Sequence, residues 1–137
     1  MIIRELKKED NIQLNSLVGQ LINKPANVDI EKLISDSNCK SVAIENNNKL
    51  IGVGFLIIHQ VPSKGFVGRI EEIVVDEKYR GKGLGRKIME ELLVLAKDNN
   101  LKRIGLTSNP KRVAARKLYE SLGFKIYNTG IFYLDLE

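Results

Sequence analysis

Ile73-Val74-Val75-Asp76-Glu77-Lys78-Tyr79-Arg80-Gly81-Lys82-Gly83-Leu84-Gly85-Arg86 runs from an unbroken apolar triplet, through a charged turn, into a glycine-rich loop. A strong helical pattern follows at once: Leu84, Ile88, Met89, Leu92, Leu93, Leu95 and Ala96 form one stripe, while Arg86, Lys87, Glu90 and Glu91 face water. Strand, glycine loop and helix in that order make a potential anion site. Glycine lets backbone approach a ligand, and the first amides of a helix have no internal acceptor and lie at the positive end of its dipole. The loop is not G-x-x-x-x-G-K-[ST]. Nor is it G-x-G-x-x-G, because position 86 is Arg86. Arg80, Lys82 and Arg86 add positive charge around it.

Outward from this stretch, the pattern predicts alternating elements. Ile2 to Leu6 reads as a short strand, and Leu14, Leu17, Val18 and Leu21 as one face of a helix that Pro25 ends. Asp29 is placed to cap a short helix carrying Ile30, Leu33 and Ile34 inward. Ser41 to Glu45 and Leu50 to Val61 read as strands joined through Asn46-Asn47-Asn48, and Phe66 to Val75 as the next. Arg103 to Thr107 follows the long helix at the spacing of a strand-helix-strand crossover. Asn109-Pro110 reads as a helix start, and Gly123 as the stop of a helix carrying Ala114, Ala115, Leu118, Tyr119 and Leu122. Lys125 to Tyr127 and Ile131 to Leu136 read as closing strands. The expectation is one α/β domain over residues 1–137, with a mixed, mostly antiparallel sheet.

Composition narrows the class. The chain has 137 residues, 43% hydrophobic and 28% charged, which suits one globular core and excludes a disordered or collagen-like chain. No apolar run approaches the ~20 residues of a membrane helix. The opening Met1-Ile2-Ile3-Arg4-Glu5 turns charged immediately, so the expectation is a cytoplasmic chain without a secretory leader. One cysteine, Cys39, and one histidine, His59, exclude an internal disulfide and a His/Cys zinc site within one chain. Neither has a base or partner by spacing, so neither is read as catalytic. The net charge of +5 permits an anionic partner, but the cations are interspersed with 17 acidic residues and aromatics are only 6%, so nucleic acid is not expected.

Arg80, Gly83 and Gly85 occupy the three defined positions of [Q/R]-x-x-G-x-[G/A], and Ala115, Leu118-Tyr119 and Gly123-Phe124 match A-x-x-L-Y-x-x-x-G-F. In these two signatures the chain resembles the GNAT superfamily of acyl-CoA-dependent N-acetyltransferases. The resemblance implies a sheet of about seven strands with about four helices. It implies acetyl-CoA as co-substrate, no metal, and transfer of an acetyl group to a primary amine of a small molecule by direct attack. On it, the main chain of Ile73, Val74 and Val75 would pair with the pantetheine arm, and the amides of Gly81, Lys82, Gly83, Leu84, Gly85 and Arg86, with Arg80, would hold the pyrophosphate. Tyr119 would be the general acid for the departing thiolate. Arg112 stands where the family often has asparagine; it meets a CoA phosphate or is a solvated helix residue. Several family members place an acidic residue nine positions before the motif's arginine, which is Glu71 here.

An ammonium with pKa near 10.4 must lose a proton before attack, so a carboxylate base is useful. Glu71 and Glu72 are the candidates, solvent the third. Side-chain alternation sends the two to opposite faces of their strand. Acceptor contacts are expected from the Gly19–Asp29 segment, the turn near Pro62, and the Asn128–Gly130 turn. The partners expected are acetyl-CoA and an amine, with no nucleic acid or membrane, in a monomer or a homodimer. The alternatives are a protein or peptide N-acetyltransferase and a non-catalytic CoA-binding sensor.

Overall fold

The structure, a computed structural model, describes residues 1–137. They form two compact units, Met1–Leu106 and Thr107–Glu137.

The first unit is built on a five-stranded sheet in the order β1-β2-β3-β4-β5. Its strands are β1 (Ile2–Arg4), β2 (Cys39–Asn46), β3 (Lys49–Val61), β4 (Gly65–Val75) and β5 (Ile104–Gly105). The first four are antiparallel neighbours, and β5 joins β4 in parallel. β2 and β3 turn tightly at Asn47 and Asn48, both in the left-handed region at φ 51° and 62°, which asparagine tolerates. β3 is buried from Leu50 to Phe55 and on to Leu56, because both of its faces are covered.

One face carries α1 (Asn11–Ile22) and α2 (Ile30–Ser35). Leu14, Leu17 and Val18 of α1 and Ile30 of α2 pack there on Ala43, Val53, Phe55 and Val74. Asp29 caps α2 as expected, its carboxylate accepting from the Lys32 amide at 3.1 Å. Ile34, expected inward, is 40% exposed, since a helix of under two turns buries only a narrow stripe. The other face carries α3 (Leu84–Asp98), whose Leu84, Ile88, Met89, Leu92 and Ala96 are buried. Each of the Leu, Ile and Met side chains among them contributes about 1.5–3 kcal/mol of hydrophobic stabilisation. Close approach is possible because β3 has Gly54 opposite α3: a Cβ there would lie 2.5 Å from Ile88 Cγ2.

The second unit contains α4 (Val113–Ser121). Its start corrects the sequence reading. Asn109 does not cap the helix; its Oδ1 accepts from the Lys111 amide at 2.9 Å and its carbonyl from the Arg112 amide at 3.0 Å, a turn that delays the helix to Val113. The far end matches expectation. Gly123 sits at φ 97°, its amide donates to Glu120 O, and the Phe124 amide donates to Tyr119 O, both at 3.0 Å. These are the paired bonds of a Schellman stop, and the Tyr119 and Phe124 rings complete it edge-to-face at 6.1 Å.

The sheet therefore has five strands rather than about seven, with α/β architecture and four helices otherwise as expected. Lys125–Tyr127 and Ile131–Leu136 form no strand. β-branched and aromatic composition favours a strand but does not supply the ladder partner a strand requires, and Phe132, Leu134 and Leu136 are exposed.

Candidate active site

In the first unit, pairing and strain concentrate on β4. Its parallel pairing with β5 covers only Gly68 and Arg69, so beyond Arg69 that edge of β4 has no strand beside it. Ile73, Val74 and Val75 lie on this open stretch. The Val75 carbonyl accepts from Arg80 Nε at 3.0 Å, which ties the glycine loop back to the strand.

On the other edge, β4 is bulged. Phe55 of β3 faces Glu71 and Val53 faces Val74, so Glu72 and Ile73 together oppose the single residue Gly54. Glu72 takes the extra position at φ 51°, a left-handed conformation costing on the order of 1–3 kcal/mol for a non-glycine residue. The bulge overturns the alternation expected for the two glutamates. Both Glu71 and Glu72 border one cavity of about 120 Å³. α1 contributes Leu14 and Val18 to its wall, the chain before α2 contributes Val28, α2 contributes Leu33, and the sheet contributes Cys39, Phe55 and Ile57. Of the segments expected to meet the acceptor, Gly19–Asp29 reaches this cavity through Val28, whereas the turn near Pro62 does not line it.

The two carboxylates differ in their partners. Glu71 Oε1 accepts from Arg69 Nε at 3.2 Å. Glu72 makes no hydrogen bond or ion pair. Cys39 is half-buried; burial, then the charge of Asp36, push its thiol pKa up, which suits a wall residue and not a nucleophile. His59 is exposed on β3.

After β4, Asp76 accepts from the Lys78 amide at 2.9 Å and turns the chain through Glu77–Tyr79 into the loop. Gly81 and Gly83 adopt φ 77° and 79°, conformations open to glycine. No heavy atom lies within 4 Å of where a Cβ of Gly81, Gly83 or Gly85 would stand, so this backbone borders open space. The Lys87 amide donates to Gly83 O at 3.1 Å, the first bond of α3. The amides before it have no acceptor within the helix. Around them, Lys82 Nζ stands 5.4 Å from the centre of the Tyr79 ring, and Arg86 Nε is 3.7 Å from Glu90 Oε1.

In the second unit, Tyr119 is half-buried, with its ring fixed against Phe124 and its hydroxyl without a hydrogen bond. Arg112 is exposed just before α4. The apolar cavity wall was not legible in the sequence, because Leu14, Val18, Leu33, Phe55 and Ile57 read as ordinary core positions; Glu71, Glu72 and the Gly19–Asp29 segment were the signals that pointed toward it.

Comparison with known proteins agrees with this geometry. A family model described as acetyltransferase (GNAT) family matches residues 6–124. The chain is 27% identical over 134 residues to glucosamine 6-phosphate N-acetyltransferase of Trypanosoma brucei brucei, covering 91% of this chain and 89% of that protein. Over 59 residues it is 41% identical to N-acetylaspartate synthetase of Xenopus tropicalis, 43% of this chain and 22% of that one. The structure superposes with a TM-score of 0.83 on glucosamine-6-phosphate N-acetyltransferase from Arabidopsis thaliana, at 25% identity over 98% of both chains. A match across the sheet, the glycine loop and both signature helices leaves one assignment: the chain belongs to the GNAT family of acetyltransferases.

Proposed function

We propose that the protein transfers the acetyl group of acetyl-CoA to a primary amine of a small molecule by direct attack, with Glu72 as the base nearest the acceptor. The observation that carries this reading is the bulge in β4. It spends conformational energy to put two carboxylates at the mouth of one cavity, on the strand that leads into the glycine loop.

The loop suits a phosphate-bearing co-substrate. Open space lies beyond Gly81, Gly83 and Gly85, the amides of the first α3 turn point out of the helix, and Arg80, Lys82 and Arg86 surround them. Ile73, Val74 and Val75, on the unpaired edge of β4, are placed to hydrogen-bond an extended arm, with the Val75 carbonyl already committed to Arg80. Bound there, acetyl-CoA supplies the activated carbonyl. Arg112 is left as a contact to its phosphates or a solvated residue.

The chain's own work is proton handling and orientation. An alkylammonium of pKa near 10.4 lies 3.4 units above pH 7, so freeing its lone pair costs about 4.6 kcal/mol. Glu72, unpaired, takes that proton directly or through water, while Glu71 is neutralised by Arg69. The amine nitrogen then bonds the acetyl carbon as the carbon–sulfur bond breaks, the nitrogen gives its second proton to water, and the sulfur leaves with the electron pair. Tyr119, whose hydroxyl makes no other hydrogen bond, supplies a proton to that thiolate and regains one from solvent.

The relatives named for glucosamine 6-phosphate and N-acetylaspartate support a small-molecule acceptor. Thiol release from acetyl-CoA, followed against a panel of small amines, amino sugars, amino acids and short peptides, tests the reading. Turnover confined to peptides replaces the small-molecule acceptor with a protein N-acetyltransferase. CoA binding without turnover on any amine makes the chain a non-catalytic CoA-binding domain.

A further inference from the structure

We infer that the acceptor is a primary amine bearing a short apolar chain of a few carbons, whose tail enters the cavity beneath Glu71 and Glu72. The inference rests on the acetyl-transfer reading above and adds the substrate class. Three observations carry it.

The first is the wall. Leu14, Val18, Leu33, Phe55 and Ile57 line the cavity, with the weakly polar Cys39 among them, and no cationic side chain does. An acceptor with a phosphate or carboxylate would place that anion against apolar side chains, or beside Glu71 and Glu72, with nothing to neutralise it. The second is size. A cavity of about 120 Å³ suits a short aliphatic tail of a few carbons and is too small for a phosphorylated sugar ring. The third is polarity by depth. The only charged groups bordering the cavity, Glu71 and Glu72, are exposed, whereas Leu14, Val18 and Phe55 of its wall are buried, so an ammonium at the exposed side meets the unpaired Glu72 while its tail meets hydrocarbon. Arg69 does not line the cavity and is engaged by Glu71.

The test is a homologous series, methylamine to hexylamine, beside aspartate and a phosphorylated amino sugar, all with acetyl-CoA. kcat/KM is expected to rise about threefold to fourfold per methylene up to butylamine or pentylamine and then level off. Both anionic amines are expected to fall at least a hundredfold below pentylamine. Val28→Phe, which projects a ring into the cavity, moves the optimum to shorter chains and lowers pentylamine kcat/KM at least tenfold, with folding checked by circular dichroism.

Cys39 provides a readout that needs neither turnover nor the variant. Pentylamine is expected to slow its modification by methyl methanethiosulfonate at least fivefold, and methylamine is not. Transfer that is independent of chain length, or that favours the anionic amines, overturns the inference and leaves acetyl transfer standing. Protection of Cys39 without transfer to any amine does the reverse. Neither transfer nor protection overturns both.

Discussion

Glu71 and Glu72 are adjacent in sequence and alike in chemistry, yet the structure gives them different surroundings. Arg69 holds Glu71 at 3.2 Å, whereas Glu72 is left without a partner on a strained left-handed residue. If Glu72 relays the acceptor's proton, Glu72→Gln is expected to lower kcat/KM at pH 7 by about 10²–10⁴. The deficit shrinks as pH rises toward the amine's own pKa and free base becomes abundant. A deficit that stays constant to pH 10 moves the role to Glu71 or solvent. Tyr119 has a different signature. Its ring closes the α4 stop against Phe124, so Tyr119→Phe keeps that contact and removes only the hydroxyl. As general acid to a thiolate whose conjugate pKa is near 8.5, its loss is expected to cost about 10–10³ in kcat, with KM for acetyl-CoA within a fewfold. A packing role alone leaves kcat, measured with chemistry rate-limiting, unchanged.

At the scale of elements, the loop between β4 and α3 combines two demands that glycine meets. Gly83 holds φ 79° at the helix start, and space is open beyond its Cα. Gly83→Asp and Gly83→Asn impose the same side-chain size on this left-handed position, which both residues tolerate, and differ by one negative charge. Calorimetry with CoA is expected to show at least a hundredfold loss for Gly83→Asp, about 3 kcal/mol, and no more than tenfold for Gly83→Asn. Equal affinities in the two folded variants remove the phosphates from this loop. The bulge in β4 is the complementary device. One extra residue opposite Gly54 turns both glutamates to a single cavity, at a place where regular alternation would have parted them.

Across the first unit as a whole, the chain's beginning is fastened by charge. Arg4 on β1 donates to both Asp10 oxygens at 2.8 and 2.9 Å and to Glu45 of β2 at 3.0 Å, and the Lys7 amide donates to Asp10 at 2.9 Å. Asp10 is only 3% exposed. Its burial alone would raise the carboxyl pKa, but the Arg4 and Lys7 contacts outweigh that and hold it below the usual carboxylate value. A carboxylate with a depressed folded pKa stabilises fully above its unfolded pKa, and that stability is lost as pH falls through the folded one. Asp10→Asn is therefore expected to lower stability at pH 7 by about 3 kcal/mol, roughly 10 °C in Tm. The gap to the unmodified chain should narrow in thermal melts below about pH 4. A gap of unchanged size at pH 3 refutes the ion pair as its source.

The sequence by itself determined the elements whose information is local. The α3 stripe, the Asp29 cap, the asparagine turn, the Gly123 stop and the glycine loop each depend on residues within a few positions of one another, and each formed where its pattern lay. Two signatures at the right spacing also carried the family. What only the tertiary structure decided depends on partners distant in the chain. The bulge exists because Gly54 lies opposite Glu72 and Ile73, so one face for both glutamates follows from pairing and not from composition. The cavity gathers apolar side chains from Leu14 to Ile57 that read locally as core residues, and only pairing places Glu71 and Glu72 beside them. Ile131–Leu136 has the β-branched and aromatic composition of a strand and is none, because a strand is completed by the backbone beside it, and no local pattern supplies that neighbour.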